Sequence, residues 1–341
     1  KVTKGEMPPW YADGRFGDFR NDRRLSAEQV QAIVAWADGG APQGDTPLTA
    51  QLPSVNEGWS HPSGRPPDLV IAMAHPFNVP AEGQIPNFTI YQELPPELKK
   101  EDHFVEAIQI QPGVIPVVHH SSFGIAPLRP GAKIGTGAAW PGGPILEGAL
   151  VDAKTGKSLA EAGDANKARP VDERGRRLVQ RSGDFRFCCY VPGGTFRQYF
   201  PGAGQRIPKD GYISWGTHYT PIGKPVVDQT RVGLWFQRDV KQEVLGAIPG
   251  PAAKHIVLGK ELIDSELTPI RTRFVVGAVG VPAIPVIPPR AKDWAITSVQ
   301  VFQNDMTLYT VWPHMHTRGK EMTYVLTYPD GKEQVLLSVP N

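Results

Sequence analysis

The sequence predicts an all-β protein, and three observations carry that expectation. Short runs of β-branched and aromatic residues, such as "PDLVIAM", "HFVEAIQIQPG", "GYISWGTHYT" and "RVGLWFQR", recur between turn-rich stretches, as in a sandwich. Glycine (36) and proline (35) make up about a fifth of the chain while hydrophobic residues stay at 40%, which suits short strands joined by many turns rather than disorder. With 341 residues the chain exceeds what one core usually supports, so two compact domains with extra segments are expected.

The first element is the exception. Within "RNDRRLSAEQVQAIVAWADGGAPQGD", residues 20–45, Ser26 is a good N-cap with Gln29 three residues on. Leu25 and Val30 suit a hydrophobic staple, and Gly39 falls where a terminating glycine belongs. Val30, Ile33, Val34 and Ala37 form one apolar stripe, which a lone helix cannot bury without the main body or a partner.

Residues 46–68, rich in Pro, Ser and Gly, read as a linker. Residues 69–245 read as a first β-sandwich, interrupted at 151–182 by a polar, weakly patterned excursion with a little helix around 157–163. After a second Pro/Gly-rich passage, residues 246–341 read as a second β domain containing "WAITSVQVF", "TLYTVWPHMHTRG" and "MTYVLTYPDGKE", with "PDGK" as a hairpin turn.

Composition excludes some functions. A formal charge of +2, with Lys and Arg scattered among acids, gives no basic field for nucleic acid or anionic membrane. No apolar run is long enough to cross a bilayer, and "KVTKGEMPPW" lacks the form of a signal peptide. The two cysteines, Cys188 and Cys189, are adjacent. A strained vicinal disulfide and two free thiols fit equally well, so the pair does not fix the redox compartment. No CxxC or CxxCH is present to attach a c-type haem or to build a thiolate zinc site.

Histidine carries the chemical signal. Of nine histidines, five fall in three strand-like contexts: His119 and His120 in "VVHHSS", His218 in "WGTHYT", and His314 and His316 in "VWPHMHTRGK". In a strand, positions i and i+2 leave one face, so His314 and His316 would project together, either as metal ligands or as an ordinary polar face. Imidazole without thiolate favours zinc, copper, iron or nickel. Adjacent His119 and His120 face opposite sides of a regular strand, and share a metal only if the backbone bulges or the two rings bind through different nitrogens. The alternative is one core and one solvent-facing ring. His218 alone also reads as a half-buried histidine bonded to a carbonyl.

Taken together, "VEAIQIQPGVIPVVHHSSFGI", "ISWGTHYTPIGKPVVDQTRVGLWF" and "VWPHMHTRGKEMTY" resemble the type II copper, ascorbate-dependent monooxygenases, the family of the peptidylglycine α-hydroxylating and dopamine β-monooxygenases, and their bacterial relatives above all. The resemblance implies two jelly-roll-like β-sandwiches that face each other across a cleft. It implies that His119, His120 and His218 bind an electron-storing copper. His314 and His316 then bind a second, catalytic copper where O2 and a peptide or other organic substrate meet, and a C–H bond is hydroxylated. The family's third ligand there is a methionine in a later strand. Met306, Met315 and Met322 do not match it, so it is expected beyond residue 341. Arg318 would serve either as a carboxylate anchor or as a surface arginine.

Residues 1–45 resemble the C-terminal part of a c-type cytochrome domain, carried by "MPPWYADGRFGDFRNDRRLSAEQVQAIVAWADGGAPQGD". Met7 would then be the axial haem ligand, with the attachment motif expected upstream. The chain is therefore expected to be a piece of a longer haem–copper protein that takes electrons from a cytochrome outside the cytoplasm, in the periplasm or beyond. Two other functions fit the same residues: an electron-transfer copper module without oxygen chemistry, and a structural subunit of a larger assembly.

Overall fold

The computed structural model describes residues 1–44, 58–128, 130–159, 185–187, 190–194, 196–244, 255–258, 261–264, 289–292, 296–298, 307–311, 313, 315 and 318–340. It is mainly β with antiparallel sheets, as the short β-branched and aromatic runs between turns predict. The chain divides into two compact units, Val55–Asn304 and a smaller one made of Lys1–Ser54 with Asp305–Asn341.

In the smaller unit the helix forms as α1 (Ala27–Asp38). Its capping box is complete, since the Ser26 hydroxyl accepts from the Gln29 N–H at 3.2 Å and Gln29 Oε1 accepts from the Ser26 N–H at 2.9 Å. The terminus differs from expectation by one residue. Gly39 keeps a negative φ of −75°, and it is Gly40, at φ 86°, that adopts the left-handed conformation. No residue of α1 is buried, and Ile33 and Trp36 are exposed.

The larger unit opens with β1 (Leu69–Ala72), β2 (Phe77–Val79), β3 (Phe88–Glu93), β4 (His103–Gln111) and β5 (Val118–Ala126). It continues through β6 (Ala132–Ala138), β7 (Ile145–Asp152), β8 (Phe185–Arg186), β9 (Phe196–Gln198) and β10 (Ala203–Ile207). Next come β11 (Tyr212–Tyr219), β12 (Val226–Asp228), β13 (Arg231–Phe236) and β14 (Gln242–Val244). A six-stranded sheet runs β1-β13-β4-β10-β14 with β9 also on β4, and a four-stranded sheet runs β3-β11-β5-β8. Among the described residues every pair in these two sheets is antiparallel except β10 with β14.

One hydrophobic cluster draws on both sheets: Ile108, Ile110, Val232 and Leu234 from the first, Phe88, Phe123, Ile125, Ile213 and Trp215 from the second. Burying such side chains stabilises by about 1.5–3 kcal/mol each, so this cluster is what fixes the register of the strands.

Burial on β4 extends to its second face. Ala107 and Gln109 are buried there because residues 58–68, the passage that reads as linker, lie along the sheet as a strap. The Ser60 N–H donates to Gln109 Oε1 at 2.7 Å, Trp235 Nε1 donates to the Arg65 carbonyl at 3.2 Å, and Trp59 meets Trp235 edge to face at 6.1 Å. Pro and Gly there prevent regular structure without preventing packing. Gly233 makes the approach possible, since a Cβ at that position would lie 2.6 Å from the Trp59 ring and 2.7 Å from Pro67. Residues 45–57 and 160–184, the latter taking in most of the excursion expected at 151–182, lie outside the described residues.

The region expected to form a second β domain contributes to both units. Strands β15 (His255–Leu258), β16 (Glu261–Asp264) and β17 (Ile296–Ser298) form a sheet ordered β16-β15-β17 in the larger one. Strands β18 (Met322–Thr327) and β19 (Glu333–Val339) form a hairpin in the smaller one, turned at the expected "PDGK", with Gly331 at φ 83° and Asp330 Oδ1 accepting from the Lys332 N–H at 3.0 Å. The N-terminal segment docks on that hairpin: the Asp13 N–H donates to the Ser338 carbonyl at 2.7 Å. Among the described residues of this unit only Leu337 is buried. No helix among the described residues is long and apolar enough to cross a membrane.

Candidate metal centre

Three histidines predicted from two separate segments meet on one sheet. Strand β11 alternates strictly, burying Ile213, Trp215, Thr217 and Tyr219 and turning Tyr212, Ser214, Gly216 and His218 to the other face. Strand β5 is its partner. Ser214 lies opposite Gly124, Gly216 opposite Ser122 and His218 opposite His120. The next pair is Tyr219 with Val118, so His119 is an extra residue on β5. This is the bulge that two adjacent imidazoles require, with His119 and His120 together opposing His218.

Burial follows the bulge. Val118 and Ser121 point into the core, while His119 is exposed and His120 and His218 are half-buried. Flanking bonds hold the distortion in place. The Thr220 N–H donates to the Val117 carbonyl at 2.8 Å, the buried hydroxyls of Ser121 and Thr217 are 3.1 Å apart, and Ser121 exchanges backbone bonds with Tyr190 at 3.1 and 2.7 Å.

The rings form a nearly equilateral triangle, with centroids 5.3 Å apart for His119–His120, 5.0 Å for His119–His218 and 5.2 Å for His120–His218. Nδ1 of His119 lies 3.2 Å from Nδ1 of His120. One nitrogen from each ring lies within 4.8 Å of the others, and among the described residues this is the one cluster of His, Cys, Asp or Glu that could share an ion. Tetrahedral metal–nitrogen bonds of roughly 2.0–2.1 Å put ligand nitrogens about 3.3 Å apart, a tightening that small χ rotations supply. The residues therefore fit a metal, and an all-imidazole set without thiolate or carboxylate suits copper, zinc, iron or nickel.

Below the triad lies a buried network that sequence reading missed. Asp228, fully buried, accepts from the Val114 N–H at 2.8 Å, the Tyr219 hydroxyl at 2.9 Å and the Thr230 hydroxyl at 2.9 Å. Tyr219 stacks on Phe77 at 4.8 Å, and burial followed by the Asp228 charge raises its pKa far above the usual phenol value. The signal in the sequence was an aspartate set among apolar residues in "PVVDQTRVGLWF", since a buried carboxylate must collect donors.

His314 and His316 lie outside the described residues. Around them, residues 307–311, 313 and 315 carry no strand, contrary to the expected "TLYTVWPHMH" strand. Pro313 has no N–H for a ladder, and Gly319 closes so tightly that a Cβ on it would stand 2.4 Å from Cβ of Met315. Arg318 sits in an exposed turn. Met7 is 48% exposed, and the described residues offer a haem no covalent attachment. Cys188 and Cys189 lie outside the described residues.

No protein-family model matches the chain, and no curated protein matches its sequence.

Proposed function

We propose that this chain is the copper-binding region of an extracytoplasmic oxidoreductase of the monooxygenase type, with His119, His120 and His218 holding an electron-storing copper. The observation that carries the proposal is the bulge at His119, which turns two successive imidazoles toward a third on the neighbouring strand. A regular strand would need no such insertion. Copper in this site would supply one-electron chemistry between Cu(I) and Cu(II).

The protein's own part is to orient and expose the ligands. The β5–β11 ladder fixes the backbones, while exposed His119 leaves the site open to an electron donor from solvent. Three neutral imidazoles accept either oxidation state without a charged ligand that would favour one of them. In this reading the strands of the larger unit adopt a jelly-roll-like arrangement, His314 and His316 serve the second copper where a C–H bond is hydroxylated, and residues 1–45 belong to a cytochrome-like donor with Met7 as its thioether ligand.

X-ray absorption at the copper edge on the copper-loaded, dialysed chain tests the proposal. The expected result is retained copper with imidazole nitrogen scattering. Copper washed out by dialysis, or zinc retained in its place under competition, would overturn it. Oxygen uptake with a reductant then separates an oxygenase from a pure electron-transfer module, which would hold copper at the triad and consume none.

A further inference from the structure

We propose that Asp228 is the positioning residue of the three-imidazole site, acting through the two backbone segments that deliver its ligands. The inference rests on the metal reading above and goes beyond it by naming what holds the site in shape. No atom of Asp228 need touch the metal.

Oδ1 accepts from the N–H of Val114, the first residue of the compact turn leading into His119 and His120. Within that turn the Val117 N–H donates to the Val114 carbonyl at 3.2 Å, and the Val118 N–H returns to the Ile115 carbonyl. The turn is thus a small rigid body whose leading end is fastened to the carboxylate and whose trailing end enters the bulge. Oδ2 accepts from the hydroxyl of Tyr219, the residue directly after His218. One carboxylate therefore ties together the segments that carry all three imidazoles.

Two features show that the site is built for this contact. Gly113 admits the aspartate, because a Cβ there would lie 3.2 Å from Asp228 Oδ1 and 2.8 Å from the Gln229 nitrogen. Asp228 is itself anchored, with its strand paired to β2 in register with Phe77 and its Oδ2 also bonded to buried Thr230. A group that only filled the core would be apolar at less cost, since a buried carboxylate is tolerated only with several donors. Partners bonded to the ligands themselves typically carry roughly 10–100-fold in metal affinity, and Asp228, which acts one step further out, is expected at the lower end of that range.

The test is copper titration with electron paramagnetic resonance on the full chain, comparing wild type with Asp228→Ala, Asp228→Asn, Tyr219→Phe and the control Trp235→Phe. Trp235 packs on the strap face of the other sheet, so its variant loses stability without touching the network. Asp228→Ala is expected to weaken copper binding at least tenfold and to change the copper hyperfine pattern. Asp228→Asn, which still accepts from Val114, should recover part of the affinity, and Trp235→Phe should leave affinity and spectrum as in wild type. Should Asp228→Ala not fold, Asp228→Asn and Tyr219→Phe decide, each expected to lose several-fold in affinity. Wild-type affinity and spectrum in every folded variant of the network would overturn the positioning role while leaving the metal site standing. A wild type that binds no copper would overturn both.

Discussion

His120 and His218 are direct cross-strand partners, and His119 is the residue that β5 inserts beside them. The strand alternation that normally separates neighbours is suspended at one position, where it brings a third nitrogen into reach. Deleting His119 should restore a regular ladder and leave a two-histidine pair. The expected outcome is loss of high-affinity metal binding with little loss of thermal stability, read by metal titration and melting. The substitution His119→Ala should weaken binding about as much as deletion, because the same imidazole is lost whether or not the bulge survives.

The strap over β4 depends on a glycine. Gly233→Ala would drive a methyl group into the Trp59 ring and Pro67, a small-to-large change of the kind that costs about 1–3 kcal/mol. Chemical denaturation should show a lowered midpoint. Trp235 fluorescence should shift red as the strap lifts, while copper affinity, set on the other sheet, stays unchanged.

Asp13 offers a pH test in the smaller unit. Hydrogen bonds from the Arg15 side chain and backbone hold its carboxyl down to about 2 from an ordinary 3.8. A lowered folded-state pKa means that the ion pair stabilises fully above about pH 4 and that its contribution fades as pH falls from there through about 2. Carbon NMR of the Asp13 carboxyl should titrate near 2, and Arg15→Ala should return it toward the ordinary value. An unchanged midpoint in that variant would show that Arg15 is not the cause.

Much of this was legible in the sequence, for identifiable reasons. The capping box at Ser26 and Gln29, the "PDGK" hairpin and the strand in "GYISWGTHYT" depend on local rules, and they formed as expected. The condition for His119 and His120 to act together, a bulge, followed from strand periodicity alone. Their convergence with His218 was expected only from the family resemblance of the segments taken together, because nearly a hundred residues separate them and no local rule joins them. Asp228 went unseen for the same reason: its donors sit at Val114, Tyr219 and Thr230, which no local pattern connects. The strap was masked by composition, since Pro and Gly report missing regular structure and are silent about packing. The expected strand through "TLYTVWPHMH" gave too little weight to Pro313 and to the tight approach at Gly319.

A core substitution separates fold from site. Phe123 is fully buried on β5 two residues past the Ser121–Thr217 contact, its ring 5.1 Å from that of Trp215. Phe123→Ala should cost about 3–5 kcal/mol. Its effect on copper affinity should appear only where the melting curve shows unfolded protein, since the ligands leave the opposite face.

The most direct measurement is competitive copper titration of the full chain beside His218→Ala at neutral pH. One tightly held equivalent should bind to wild type through the triad and disappear from the variant, with any further copper unaffected. Equal stoichiometry and affinity in the two proteins would contradict a site built from His119, His120 and His218.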